Sequence, residues 1–244
     1  MIHDWLVPDW PAPRRVHAFV TTRSGGVSQG EYASMNLSAS GGDDPAFVAR
    51  NRAIVRELLP AEPRWLAQVH GVDVVEVDDR APETRPRADA SVAHGPNRVC
   101  TVLTADCMPL LLCDTKGEAV AVAHAGWRGL AAGVIENSVR ALGTPPANTL
   151  AWMGPAIGPK AFEVGPEVRD AFLAKDPESE SAFVSHRPGK YLADLYALAR
   201  QRLAKAGVTA VFGGGFCTYN EAGRFFSYRR KKESGRMGAF IWIS

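Results

Sequence analysis

The stretch VCTVLTADCMPLLLCDTKGEAVAVAHAGWRG, residues 99–129, decides the fold class. It holds three short runs of β-forming and apolar residues, at 99–104, 110–114 and 119–123, separated by an Asp-Cys break and a Lys-Gly break. Runs of this length between turn signals are typical of buried strands. The middle of the chain is therefore predicted to be a sheet.

Helices and strands alternate on both sides of this region. One helix is predicted to begin with Asp44 as its N-cap and Pro45 in its first turn, and to end near Pro60. Periodicity predicts the other elements: strands at 16–23, 65–69, 72–77, 149–153, 209–212 and 239–243, and helices at 130–142, 166–175 and 192–206. The pattern indicates an α/β fold.

The domain organisation follows from length and composition. The chain has 244 residues, of which 46% are hydrophobic and 22% charged, as in an ordinary soluble globular protein. Two polar stretches that contain proline, 82–87 and 176–181, are too short to separate folding units. We therefore predict one catalytic domain that covers residues 1–244.

The charge balance limits the partners. There are 28 Lys and Arg against 26 Asp and Glu, and the net charge of +2 is too small for a general nucleic-acid or membrane-surface binder. No apolar run approaches the roughly 20 residues of a membrane span, and residues 1–5 lack the basic start of a signal peptide. We expect a cytoplasmic protein that binds small molecules, and neither nucleic acid nor a membrane.

Three strand ends carry a side chain that can bind a metal. His70 lies in the motif QVHG, Cys107 ends the motif TADC, and His124 begins the motif HAGWRG. Two imidazoles and one thiolate suit zinc, and three protein ligands leave a fourth position open, as in catalytic sites. The same residues also fit a site without metal, in which Cys107 is the nucleophile and His124 the base of a thiol hydrolase or amidase. The spacing of these residues along the sequence does not decide between the zinc site and the metal-free thiol site.

Arginines form a second group of candidates. Arg23 lies in the glycine-rich segment TTRSGGVS, Arg128 precedes a predicted helix, and Arg229 follows the aromatic run FFSY. Guanidinium groups, glycine-rich backbone and helix starts are the elements of phosphate sites. Each arginine taken separately is typical of a solvated surface charge.

Seven motifs occur together along the chain: TTRSGGVS at 21–28, MNL at 35–37, QVHG at 68–71, TADCMPL at 104–110, HAGWRG at 124–129, GPAIGP at 154–159 and SYRR at 227–230. This set closely resembles the laccase-domain, or polyphenol oxidase, family, whose bacterial members have been reassigned as purine nucleoside phosphorylases with adenosine deaminase activity. The resemblance implies a layered α/β/β/α sandwich of mixed sheets, related to the fold of a bacterial necrotising toxin with a Cys/His catalytic pair. It also implies that His70, Cys107 and His124 bind zinc.

The activity that the resemblance implies is phosphorolysis of adenosine and inosine, with methylthioadenosine as a further substrate. Phosphorolysis requires that phosphate be positioned as the nucleophile. Arg23, Arg128 and Arg229 are the expected phosphate contacts, together with Gln68 of the QVHG motif as a substrate contact.

Deamination of adenosine is the second implied activity. Zinc held by Cys107 and the two histidines would activate the water that attacks the purine C6. Asp106 is a candidate general acid or base at this catalytic centre, and an orienting role for it is equally open.

Three alternatives stay open at this point. A Cys107/His124 thiol hydrolase would act on peptide or cell-wall precursor amides. A copper polyphenol oxidase is less favoured, because the chain has 6 His without a His-x-His pair, and Met108 adjoins Cys107 and faces the opposite way on extended backbone. A protein that binds nucleosides through zinc without turnover is the third. For the assembly we expect a monomer or a weak homodimer.

Overall fold

The computed structural model of the protein describes residues 4–78 and 85–244, and its elements are numbered in chain order. The strands are β1 (Val16–Val20), β2 (Val74–Glu76), β3 (Ala90–His94), β4 (Cys100–Thr104), β5 (Met108–Asp114), β6 (Ala119–Ala125), β7 (Thr149–Met153), β8 (Glu163–Val164), β9 (Phe183–Ser185), β10 (Tyr191–Ala193), β11 (Ala210–Gly213) and β12 (Met237–Ile243). The α-helices are α1 (Pro45–Arg56), α2 (Trp127–Ala132), α3 (Val134–Ala141), α4 (Pro166–Leu173) and α5 (Leu195–Lys205). Short 3-10 helices lie at Gly30–Tyr32, Pro146–Asn148 and Pro177–Ala182.

A mixed sheet with the strand order β11-β7-β5-β6-β3-β2 lies at the centre of the protein. Strands β5 and β6 are antiparallel neighbours, and every residue in both is buried. Burial on both faces explains why these two strands are nearly continuous apolar runs rather than alternating ones. They form the framework on which the other layers pack.

A second sheet, β1-β12-β4, packs on one face of the large sheet. Val102 and Ile241 of this small sheet share a buried cluster with Leu111 and Val122 of the large one. Helix α1 covers the outer face of the small sheet, where Val55 packs with aromatic residues of β1 and β12. Helices α2 to α5 pack on the opposite face of the large sheet. The layers therefore run α/β/β/α, as the resemblance implies.

A third sheet, β8-β10-β9, is antiparallel and packs beside α4. Within residues 4–78 and 85–244, no helix is long and apolar enough to cross a membrane. Part of the polar connection predicted at 82–87, namely residues 82–84, lies outside the described residues.

Several predicted elements are confirmed, with two differences in the helices. The helix predicted at 192–206 begins only at Leu195, because Leu192 and Ala193 belong to β10. Asp44 is the N-cap of α1, and its side chain accepts a hydrogen bond from the Ala46 amide. The strand predicted at 149–153 is β7, with the same bounds. The helix predicted at 130–142 is two helices, because Gly133 has a φ of 116° and separates α2 from α3.

The strand predicted at 65–69 is wrong. Near this segment the structure has only an isolated bridge at Arg64. The Gln68 side chain takes the place of a strand: its Nε2 donates to the Leu103 carbonyl at 2.9 Å, and the Leu103 amide donates to its Oε1 at 2.7 Å. Strand propensity does not reveal a side chain that binds the end of β4 in this way.

Strand β3 has no clear signal in the sequence. Its residues, ASVAH, include few β-formers. It is extended because β6 pairs with it on one side and β2 on the other. Tertiary pairing, rather than local propensity, makes this segment a strand.

Candidate metal centre

The metal-capable side chains meet at one edge of the large sheet. Strands β2 and β3 are parallel, and β3 and β5 are both antiparallel to β6, so the starts of β2, β3 and β5 lie beside the end of β6. His70 precedes β2, Cys107 directly precedes β5, and His124 lies near the end of β6 opposite Pro109. The strand topology thus brings together three candidate ligands from distant parts of the chain.

The three ligand atoms are close enough to hold one ion. Cys107 Sγ lies 3.9 Å from His70 Nε2, and the candidate ligand atoms of His70, Cys107 and His124 all lie within 4.8 Å of one another. Tetrahedral zinc, with bonds of about 2.0–2.3 Å, needs ligand atoms about 3.5 Å apart. His124 is buried, Cys107 is half-buried and His70 is exposed, so the centre has one closed side and one open side.

A buried carboxylate, Asp89, holds both histidine-bearing segments. It precedes β3, and its side chain is fully buried. Its Oδ1 accepts hydrogen bonds from the His70 amide at 2.9 Å and from His124 Nδ1 at 2.8 Å. Its Oδ2 accepts from the amides of Val69 at 3.0 Å and Gly71 at 2.7 Å. The bond to Nδ1 leaves Nε2 of His124 available for a metal.

Two residues of the centre have left-handed backbone, which is unfavourable for a residue with a Cβ. His70 has a φ of 59° and Asp106 a φ of 87°. The bond to Asp89 fixes the amide of His70. Asp106 is fixed by the Thr218 hydroxyl, which donates to its Oδ1 at 2.6 Å, and by the Arg229 amide, which donates to its Oδ2 at 2.6 Å. The surrounding structure thus holds a strained turn directly before Cys107.

Cys107, His124 and Asp89 form a row of contacts in which groups of negative and positive charge alternate. Burial alone would raise the pKa of the Cys107 thiol, but the imidazoles of His124 and His70 lower it to about 6. Burial alone would lower the pKa of His124, but Cys107 and Asp89 raise it. For Asp89, the effect of burial is outweighed by hydrogen bonds from His124 and from backbone amides, and its pKa is lowered to about 2. The two imidazoles therefore favour the thiolate form of Cys107 in the metal-free protein, the form that binds metals and attacks electrophiles.

A cavity of about 940 Å³ opens over the centre. Its lining includes His70, Cys107 and His124 of the centre. Three aromatic side chains line it: Trp127, Phe162 and Tyr228. Four arginines also line it: Arg85, Arg128, Arg229 and Arg236. Aromatic walls can stack on a planar base, and guanidinium groups bind phosphate.

Two of the predicted arginines lie at this cavity. The Arg128 guanidinium is 4.4 Å from the centre of the Trp127 ring, and the Arg229 guanidinium is 5.5 Å from the centre of the Phe162 ring. Arg128 is exposed, and its amide lies in the first turn of α2. Both guanidinium groups therefore stack on aromatic side chains that line the cavity.

Arg23 and Gln68 are bonded to the protein backbone. Arg23 lies outside the cavity lining, and its guanidinium donates to the carbonyls of Ala33 and Ala222. Gln68 lines the cavity, but both ends of its amide are bonded to the Leu103 backbone. In this arrangement both side chains stabilise loops around the site.

Three further residues at the site have weak signals in the sequence. For Asp89, the only signal is a carboxylate between alanines in the segment RADAS. Arg236 follows the basic run at 229–232, and its guanidinium stacks on the Tyr228 ring at 5.5 Å. Arg85 does not belong to any sequence motif, and it lines the cavity only because of the tertiary fold.

Fold and site together define the class: an α/β/β/α protein with a His/Cys/His centre beneath an arginine-lined cavity. Within that class, the chain belongs to the family described as multi-copper polyphenol oxidoreductase laccase, whose family model matches residues 17–244. The family predicted from the sequence motifs is thereby confirmed.

Relatives of this family match over almost the whole chain. The chain is 58% identical over 240 residues to a Pseudomonas aeruginosa protein named purine nucleoside phosphorylase PA4543, and 54% identical over 240 residues to purine nucleoside phosphorylase YfiH of Escherichia coli K12; each match covers 98% of both chains. The crystal structure of NMB0706 from Neisseria meningitidis has a TM-score of 0.95 at 49% identity and covers 99% of both chains. YlmD from Geobacillus stearothermophilus has a TM-score of 0.92 at 32% identity, over 98% of this chain and 96% of its own.

Proposed function

We propose that this protein is a zinc-dependent purine nucleoside phosphorylase that acts on adenosine and inosine, with adenosine deaminase activity and methylthioadenosine as a further substrate. The observation that carries the proposal is the cavity, in which a His/Cys/His donor set lies beside arginines and aromatic side chains. The names of the similar P. aeruginosa and E. coli proteins support it. The proposed ligands are small molecules, and the proposed location is the cytoplasm.

The donor set favours zinc over copper. Several copper sites need many histidines, whereas the chain has 6 His and no His-x-His pair. Met108, the candidate weak copper ligand, is fully buried in the core cluster beneath the helices. At Gly126 an added Cβ would lie 2.7 Å from Cys107 Sγ, so only glycine leaves room around the donors. When bound by His70, Cys107 and His124, zinc supplies a Lewis acid at the base of the cavity.

In phosphorolysis the C1′–N9 bond of the nucleoside breaks and a C1′–O bond to phosphate forms, while the base leaves with a proton on nitrogen. Arg128 and Arg229 are placed to bind the phosphate, because their guanidinium groups line the cavity and supply paired N–H donors. The aromatic walls, Trp127 and Phe162, would stack on the purine and hold C1′ towards the phosphate.

Asp106 fits an orienting role better than proton transfer. Both of its carboxylate oxygens already accept short hydrogen bonds, one from Thr218 and one from the Arg229 amide. A group occupied in this way fixes the position of Arg229 relative to Cys107.

The direct test of the phosphorylase activity uses purified, zinc-loaded protein with inosine and phosphate. We expect hypoxanthine and ribose 1-phosphate in equal amounts, measured by chromatography, and phosphate dependence of both. Adenosine without phosphate should give inosine and ammonia. The control is Cys107→Ser, which removes one donor and keeps the size of the side chain. Hypoxanthine formation no greater than in this control would refute the proposal.

A thiol hydrolase is the second candidate function, and one observation favours it. In the metal-free centre His124 lowers the pKa of the neighbouring Cys107 thiol, and Asp89 holds the other ring nitrogen of His124, which is the order of groups in a catalytic triad. This candidate requires amide hydrolysis that survives complete chelation and is lost on alkylation of Cys107. Loss of all activity on chelation would exclude it.

A further inference from the structure

Arg236 differs from the other three arginines of the cavity lining in its burial. Arg85, Arg128 and Arg229 are exposed, whereas Arg236 is half-buried. Within residues 4–78 and 85–244, its guanidinium forms no ion pair with a carboxylate. Asp106 lines the same cavity, but its oxygens accept hydrogen bonds from other groups and none from Arg236. A cation that is partly removed from water without an ion pair is unfavourable, and an anion that binds to it offsets this cost.

The strand register places Arg236 beside the metal centre. Arg236 directly precedes β12, and Met237, the first residue of β12, pairs with Thr104 at the end of β4. Cys107 follows Thr104 by only three residues. Burial lowers the pKa of Arg236, and the negative charges of Cys107 and Asp106 oppose this effect, so the guanidinium lies within electrostatic reach of both groups. Arg236 is therefore part of the cavity wall next to Cys107.

The MNL motif at residues 35–37 fixes the backbone of Arg236. Asn36 is fully buried, and its Oδ1 accepts a hydrogen bond from the Arg236 amide at 2.9 Å. The Leu37 amide donates to the Arg236 carbonyl at 3.2 Å. Gly235 permits this close approach, because a Cβ at position 235 would lie 2.9 Å from the Cβ of Asn36. A motif that the proposed contacts leave without a role thus positions an arginine of the cavity.

The guanidinium of Arg236 has one bonded nitrogen and one open edge. Its Nη1 donates to the carbonyls of Ser234 at 2.6 Å and Gly235 at 3.0 Å, and the group stacks on the Tyr228 ring. Its Nε and Nη2 form no hydrogen bond within the described part of the chain, and neither is a buried atom without a partner, so both have accessible surface. Nε and Nη2 together form the fork that binds two oxygens of one phosphate.

We propose that Arg236 binds the inorganic phosphate of the phosphorylase reaction through Nε and Nη2, beside Cys107. This inference rests on the proposed function and deepens it, because it adds to Arg128 and Arg229 a phosphate contact next to the metal centre. During the reaction a phosphate oxygen forms the bond to C1′ while the C1′–N9 bond breaks. Arg236 contacts the attacking phosphate and not the leaving base.

The role can be separated from a general structural role, because deamination of adenosine uses water and no phosphate. In Arg236→Gln we expect KM for phosphate in inosine phosphorolysis to rise about tenfold or more, as the loss of a charge-assisted pair of hydrogen bonds predicts. KM for inosine should change by less than about twofold, and adenosine deamination without phosphate should be retained.

Arg224→Gln is the matched control for these assays. Arg224 is also half-buried and stacks on aromatic rings, those of Phe216 and Phe225, but it does not line the cavity. This variant should leave KM for phosphate unchanged. Arg236→Lys is a second variant that keeps the positive charge and removes the fork, so its KM for phosphate should lie between those of the wild type and Arg236→Gln.

Titration calorimetry of inorganic phosphate into the zinc-loaded protein, without nucleoside, gives a readout besides activity. Phosphate binding that weakens in both Arg236 variants and persists in Arg224→Gln supports the inference. An unchanged KM for phosphate in Arg236→Gln, or an equal loss of deamination and phosphorolysis, overturns the inference and leaves the phosphorylase function intact. If the wild type turns over no nucleoside, the proposed function fails; phosphate affinity that neither Arg236 variant changes then overturns the inference as well.

Discussion

Asp89 organises both histidine-bearing segments of the centre. Its two oxygens accept four N–H groups, three from the backbone around His70 and one from the His124 ring. A carboxylate that orients a histidine ligand typically contributes 10- to 100-fold to metal affinity. Here one carboxylate acts on both histidine segments.

We predict that Asp89→Asn weakens zinc binding about 10- to 100-fold, because an amide nitrogen replaces one acceptor oxygen and opposes backbone N–H donors. Competition with a chromophoric chelator measures the affinity. Asp114→Asn is the matched control: Asp114 is also buried and accepts the amides of Lys116, Glu118 and Ala119, away from the metal centre. Equal losses of affinity in both variants would show that Asp89 acts only through stability.

We predict that Cys107 in the metal-free protein reacts with iodoacetamide with a pH midpoint near 6, because its pKa is lowered to about 6. The thiolate fraction rises with pH, so the rate increases through this midpoint, where it is half-maximal, and reaches its plateau about two pH units higher. In His124→Gln the midpoint should move upward, since the nearby imidazole is removed. Cys100 and Cys113, whose pKa burial raises to about 12, should remain unmodified at pH 7. Peptide mass spectrometry follows each thiol, and a wild-type midpoint at the ordinary thiol value of about 8.5 would contradict the prediction.

At the scale of residues, the sequence predicts side chains that belong to motifs and misses those placed by folding. His70, Cys107 and His124 each stand in a motif next to glycine or at a strand end, and the structure brings them together. Arg23 stands in an equally distinctive motif but binds backbone carbonyls. Asp89 and Arg85 can be recognised as residues of the site only once their neighbours in space are known.

At the scale of elements, α2 is the part that links the site to the helical layer. Gly129 of α2 lies against the loop of His70: a Cβ at position 129 would be 2.8 Å from the Gly71 carbonyl oxygen. The first turn of α2 also carries Trp127 and Arg128 into the cavity lining. A shift of this short helix would therefore move both the loop of His70 and a cavity wall.

We predict that Gly129→Ala destabilises the protein by about 1–3 kcal/mol, the usual effect of overpacking, and also weakens zinc binding. Urea unfolding measures the first effect and chelator competition the second. Gly223→Ala serves as the control, because a Cβ there meets no atom within 4 Å; it should change the free energy of unfolding by less than about 0.5 kcal/mol. Unchanged zinc affinity in Gly129→Ala would mean that the loop of His70 moves independently of α2.

The errors at the scale of elements have physical causes. The segment at 65–69 has strand-like composition, yet Gln68 binds β4 through its side chain. The segment of β3 has weak propensity, yet two neighbouring strands extend it. The helix at 130–142 has the right period, yet Gly133 adopts a φ that ends α2. In each case a contact or a backbone angle outside the local pattern decides the outcome.

At the scale of the whole molecule, the two larger sheets share one buried cluster, with Val102 and Ile241 on one side and Leu111 and Val122 on the other. Neither sheet can separate from the other without exposing this apolar surface. The layered architecture was accessible from the family resemblance, whereas periodicity alone predicts only an α/β fold. Long-range pairing, such as that of β1 with β12, has no local signal.

We predict that the protein unfolds in one cooperative thermal transition, because the shared cluster joins the layers. Calorimetry, near-UV circular dichroism and far-UV circular dichroism should give the same midpoint. Added zinc should raise this midpoint for the entire transition, as expected of a ligand that binds only the native state. Two separate transitions, of which only one responds to zinc, would contradict the prediction of a single domain.

The Asp89 hydrogen bonds have a consequence for how the metal enters. In many small metal sites the ligands become ordered only when the ion binds. Here the carboxylate of Asp89 already fixes both histidine segments in the folded protein. Metal loading is then a bimolecular encounter between the ion and a preformed site, and its rate should scale with the concentration of free metal. On the proposed zinc-dependent function, a chain emptied by a chelator should therefore refill without unfolding, and metal supply would govern activity within the lifetime of a single molecule.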